Sequence, residues 1–195
     1  MSRIRFGFSF LTALLMVANL GCSGGRSASS GASSSGTGAP PGSGTGTIQV
    51  LMTAEPAPNF VQSVVVSFDR VTVYPSGGGA MPLVEQGPVN LALNNSSLDL
   101  VTLAGGAPAL LASGVVVNGD YDRIEVSVSS ATITYSGGTN ISMNLRSNVV
   151  DINPSFTVAS GGTVQVVLDF DTGGSVQLSD KGPILRPTIR VSSVQ

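Results

Sequence analysis

Nowhere after residue 47 does the chain sustain a helical period over eleven or more residues. Its apolar side chains instead alternate in short runs cut by Gly, Pro and Asn. Residues 163–170, TVQVVLDF, are the cleanest case, with Val164, Val166, Leu168 and Phe170 on one face. A helix spaces its apolar residues three and four apart, so a chain patterned in twos must bury its apolar surface between sheets. Roughly ten such runs with regular turn signals predict an all-β domain, an antiparallel β-sandwich with at most one short helix.

The longest run, residues 60–74, breaks its own alternation. Val64, Val66 and Phe68 fall on one count and Val71 and Val73 on the other. A strict two-residue period cannot bury both sets, which predicts a bulge at Asp69-Arg70. Those two charges read as a solvated pair on the bulge, with a ligand-facing ion pair as the alternative. Further strands are expected near Leu83 and at residues 89–93 and 98–103, and a helical turn within 102–113, kept short by Gly105, Gly106 and Pro108. In residues 121–129, Ile124, Val126 and Val128 alternate with Arg123, Glu125 and Ser127. Gly119 and Tyr121 ahead of them resemble the tyrosine corner of Greek-key sandwiches, whose hydroxyl bonds back to nearby backbone. Residues 131–135 and 140–146 flank Gly137-Gly138 as a hairpin. Residues 149–152, 156–158, 175–178 and 184–194 complete the set, with Pro187 marking an edge or a bulge.

Ahead of the β-patterned region, Arg3 and Arg5 precede an uncharged apolar run over residues 6–17. That run is shorter than the ~20 residues a spanning helix needs, so residues 1–21 read as a secretory signal. The signal closes on Asn19-Leu20-Gly21-Cys22, which resembles the lipobox of bacterial lipoproteins and contains the only cysteine of the chain. The resemblance implies a diacylglycerol on Cys22, which becomes the new N-terminus. The membrane is then a partner through the lipid, and the location is the cell envelope. Ser23 resembles the signal for the outer membrane where the bacterium has one. Residues 22–46 form the anchor and a tether: 8 Gly and 8 Ser among residues 23–46 cannot bury enough surface to order themselves. Such a coil spans about 27 Å on average.

Of 9 Lys and Arg, two leave with the signal, so 7 cations face 11 acids and the formal charge is 7 − 11 = −4. An acidic chain without a basic cluster argues against nucleic acid and against anionic lipid heads as partners. The absence of histidine removes Ser-His-Asp and Cys-His catalysis, His-based zinc sites and His proton transfer. Lys181, the sole lysine, sits between Asp180 and Gly182 in an expected turn, not in the apolar pocket a Schiff-base lysine needs. Carboxylates remain. Asp169 and Asp171 share a face at a strand end before Gly173-Gly174, and calcium takes its oxygens from such closely spaced acids. Asp120 and Asp122 form a second pair. An EF-hand would place a third ligand where Gly173 stands, so a strand end whose acids cap neighbouring turns is the plainer reading. A glycosidase-like acid pair would lack any tryptophan for sugar stacking.

Six segments occur in a characteristic order: TIQVLMTAEPAP from residue 47, VVVSFDRVTVYP from 64, LDLVTL from 98, GDYDRIEVSV from 119, VQVVLDFD from 164 and ILRPTIRV from 184. Together they resemble the bacterial domain-of-unknown-function family 4382, found largely in secreted lipoproteins, over residues 47–195. The resemblance implies a transthyretin-like or carboxypeptidase-regulatory-like sandwich and implies no reaction; an Ig-like Greek key is the alternative architecture, and no cofactor is expected unless calcium binds. The expectation is a non-catalytic binding or structural module for an unknown protein or glycan, engaged through exposed edge strands. The alternatives are a calcium- or carbohydrate-binding module and, last, a carboxylate-only hydrolase.

Overall fold

A computed structural model describes residues 44–77 and 87–195. Cys22, nearly all of the tether and the strand expected near Leu83 lie outside the described residues. The domain is all-β. In chain order it runs through Thr45–Ala54 (β1), Val61–Pro75 (β2), Val89–Leu93 (β3), Ser97–Asp99 (β4), a one-turn helix Leu100–Leu103 (α1), Ala109–Val117 (β5) and Gly119–Tyr135 (β6). It continues through Asn140–Ser142 (β7), Asn144–Leu145 (β8), Val149–Ile152 (β9), Phe156–Val158 (β10), Thr163–Phe170 (β11), a second single turn Thr172–Ser175 (α2), Val176–Ser179 (β12), Gly182–Leu185 (β13) and Ile189–Val194 (β14).

The main sheet follows the order β10-β6-β2-β3-β5-β1-β11-β14, with β4, β7 and β9 pairing beside this path. Because β3 pairs β2 through residues 89–91 and β5 through residues 92–93, the sheet curls into two facing layers. Their inner faces meet in one core: Ile48, Val50 and Met52 of β1 and Leu168 and Phe170 of β11 on one side, Val64, Val66, Ile124 and Ile133 of β2 and β6 on the other, all fully buried. The seam between layers is tight. The turn from β10 to β11 lies against the start of β1, with Gly161 N–H donating to Thr45 O (2.7 Å) and Thr47 N–H to Gly162 O (2.8 Å).

The broken alternation of β2 has a matched counterpart in β6. Ser67 faces Ser130, Phe68 faces Val128 and Arg70 faces Ser127, so Ser129 and Asp69 are each passed over. Both strands change parity at the same level. Phe68 and Val71 therefore stay buried while Asp69 and Arg70 are both exposed, as the bulge predicts. One uninterrupted β6 replaces the two strands expected over residues 121–135, because the bulge bends the strand without ending it.

Four expectations change. First, β1 begins at Thr45, inside the segment assigned to the tether, because Gly46 has no side chain and can lie against Val158 and the β10–β11 turn. Second, residues 109–117 form β5, a central strand, and the helical turn is α1, four residues at 100–103 capped by Asp99, whose carboxylate accepts from Val101 N–H at 3.0 Å. The register passes over Leu111 between Leu110 and Ala112, which erases the alternation that marks a strand. Third, α2 adds a second single turn. Fourth, the sheet is mixed: β1 and β11 run parallel over eight residue pairs, a pairing between distant segments that no hairpin dictates. Pro187 divides the expected strand 184–194 into β13 and β14, and β14 is the edge beside β11.

Tyr121 is buried and its hydroxyl donates to Val117 O at 2.9 Å, the bond a tyrosine corner makes. Burial pushes its hydroxyl above the usual tyrosine value of 10. The folded state therefore holds this proton more firmly than the unfolded chain, and the stability so gained is complete below pH 10 and lost as pH climbs through the folded value. Tyr121→Phe should cost about 0.5–1.5 kcal/mol at pH 7. Urea titrations of both proteins at pH 7 and pH 11 should show the gap narrowing at the higher pH. An unchanged gap would mean that the hydroxyl is not held as described.

Candidate functional site

The two acids singled out by the sequence do different work: Asp169 lies in β11 and Asp171 just beyond its end. Register places Thr53 of β1, Asp169 of β11 and Arg190 of β14 at one level across three strands. Thr53 Oγ1 donates to Asp169 Oδ1 at 3.2 Å, and Arg190 Nε to Asp169 Oδ2 at 3.5 Å. The Arg190 guanidinium also pairs with Glu55, just past β1, and that carboxylate is the main reason its pKa lies above the ordinary arginine value. Asp171 instead caps α2, its Oδ1 accepting from Gly174 N–H at 2.7 Å. A Cβ at residue 174 would lie 2.5 Å from the same carboxylate, so the cap requires the glycine. Arg190 thus supplies Asp169 with the positive charge a cation would bring. Among the described residues no three His, Cys, Asp or Glu side chains converge in a metal-holding group.

The other sequence candidates lie on the outer surface. Asp120 accepts from Thr157 Oγ1 on β10, while Asp122 is exposed. Arg70 is paired with Glu125 of β6 (3.9 Å) and not with its neighbour Asp69. Tyr74 donates to the same Glu125 (3.0 Å), and that bond is the main reason its hydroxyl titrates higher than usual. Arg123 lies 3.5 Å from the centre of the Tyr74 ring and 3.7 Å from Asp151. This ladder fixes side chains along the outer face of β2, β6 and β9.

Concavity lies elsewhere, around a small sheet of order β12-β13-β8. There β13 and β8 run parallel, with Ile184 facing Asn144 and Leu185 facing Leu145. Arg186 and Arg146 are the next residues of that register, and Arg146 N–H donates to Leu185 O at 2.9 Å. Both guanidinium-bearing residues line one open cleft of about 360 Å³, with Ser147, Gln177 and Thr188 and no carboxylate. Arg146 also borders a second cleft of about 510 Å³, whose wall carries Leu145, Ile184, Lys181 and the lone carboxylate Asp180. Lys181 sits in the β12–β13 turn, where the sequence places it. The two arginines were missed by sequence reasoning. They stand forty positions apart, and only the β8–β13 pairing makes them neighbours.

A model of the family described as Domain of unknown function (DUF4382) matches residues 45–187. No curated protein and no solved structure matches the chain.

Proposed function

This chain belongs to the DUF4382 family, and from that premise we propose that it is a lipid-anchored envelope protein whose β-domain is a non-catalytic binding or structural module. What carries the reading is the use made of its carboxylates. Of the four acids that the sequence sets in pairs, Asp169, Asp171 and Asp120 each hold a neighbouring group in place, and Asp122 is exposed. A hydrolase built on carboxylates needs two of them facing one concave site, and Asp180 stands alone on the wall of its cleft. Edge strands remain as docking surface: among the described residues β14 pairs only β11 and exposes Val194, and β7 pairs only β6 and exposes Ile141. No observation favours calcium binding over this reading, since Arg190 already neutralises Asp169.

Two measurements test it. The full-length protein, expressed in a diderm host with a clickable fatty acid, should take up the label and fractionate with the outer membrane, and Cys22→Ser should lose both. An unlabelled wild-type protein would overturn the anchor. A photo-crosslinking residue at Val194 or Ile141 should give discrete adducts in intact cells, whereas an absence of adducts at both edges would overturn edge docking.

A further inference from the structure

Six cationic side chains lie among the described residues: Arg70, Arg123, Arg146, Lys181, Arg186 and Arg190. Arg70, Arg123 and Arg190 are in ion pairs with acids. The other three make no ion pair among the described residues, and all three line the two clefts of the small sheet. Arg146 and Arg186 directly follow Leu145 and Leu185, the last pair of a parallel ladder, and both line one cleft. An anion held in that cleft would face both charges.

We infer that the Arg146–Arg186 cleft is a binding site for the phosphate group of a phosphate ester. The inference rests on the binding-module reading and names its ligand class. Two planar guanidinium forks can each donate two parallel hydrogen bonds to an oxyanion, and the cleft adds the Gln177 amide as a further donor, while the hydroxyls of Ser147 and Thr188 on its wall donate to Val149 O and Arg186 O. Its wall bears no carboxylate, whereas Asp180 faces the second cleft, so the oxyanion belongs in the first. Asp171, the nearest acid on α2, is turned onto Gly174 N–H. Beyond Arg146 the second cleft offers Leu145 and Ile184 to whatever the phosphate carries. The phosphate could belong to a soluble ester or to a lipid head, and the shared chemistry is the same.

The test is calorimetric titration of the full-length protein in nonionic detergent, at fixed ionic strength, with inorganic phosphate, glycerol 3-phosphate and dihexanoyl phosphatidic acid. Saturable binding is expected, at least tenfold weaker in Arg146→Gln and in Arg186→Gln and abolished in the double variant. Both side chains are exposed and make no ion pair among the described residues, so the variants should melt with the wild type. Arg70→Gln, which removes the same charge elsewhere, should bind as the wild type does. Tenfold tighter binding of the phosphatidic acid than of glycerol 3-phosphate would support the site and assign a lipid head; equal binding would support it and assign a soluble ester. No saturable binding by any of the three, or binding unaltered in the double variant, would overturn the site and leave the binding-module reading standing. Steady release of phosphate from glycerol 3-phosphate, lost in the double variant, would do the opposite: it would overturn the non-catalytic reading and support the site.

Discussion

Phe170→Ala should lower the unfolding free energy by about 3–5 kcal/mol, a large share of what a domain of this size possesses. The ring is fully buried at the end of β11, facing Ala54 of β1 on one side and Ile189 of β14 on the other. Its own backbone carbonyl receives Glu55 N–H at 2.9 Å, which holds the strand ends together and limits how far they can collapse into the space the ring leaves. The penalty therefore contains both the lost transfer of an aromatic side chain and a persistent cavity. Phe60→Ala is the control: that ring is 48% exposed and stacks on Tyr135, so its loss should cost under about 1 kcal/mol. Urea unfolding of the two variants side by side decides the matter. Equal, small losses would mean that residue 170 is not in the core.

Gly46→Ala should destabilise by about 2–3 kcal/mol, through overpacking and not through backbone strain. A Cβ there would lie 2.5 Å from Val158 Cγ1, 2.6 Å from Ala159 O and 2.9 Å from Gly162 O. A side-chain methyl can turn aside, but two backbone oxygens cannot, and one of them, Gly162 O, accepts the Thr47 N–H bond that seals the seam between layers. The sign is informative. With free space around it, Gly→Ala stabilises a chain by about 0.4–1 kcal/mol by restricting the unfolded state. Gly137→Ala, where a Cβ would meet nothing within 4 Å, should show no comparable penalty. A stabilised Gly46→Ala protein would refute the close approach of β1 to the β10–β11 turn.

Much of this fold is written locally. The strands at residues 89–93, 149–152, 156–158 and 163–170 follow from alternation and turn residues alone, and the bulge in β2 follows from a parity conflict between Phe68 and Val71. What local pattern cannot convey is pairing between distant segments. The parallel alignment of β1 with β11 joins residues 116 positions apart, and no residue of TIQVLMT states which partner it will meet. The strand β5 was hidden for a related reason, since the residue that breaks its period, Leu111, is extra only relative to β1. The acids at 169 and 171 were visible as a pair, but their separate engagements depend on Arg190 and on the α2 turn. Arg146 and Arg186 were invisible as a pair, because each is unremarkable until β8 meets β13.

The position of β1 has a mechanical consequence. The first strand after the N-terminal segment is an interior one, bonded to β5 along one side and to β11 along the other. A pull arriving from the N-terminal side enters at Thr45 and acts along the strand axis. It loads the rungs of both ladders together in shear, where an edge strand such as β14 would peel one rung at a time. Force applied at Thr45 is thus shared by the two ladders that flank β1.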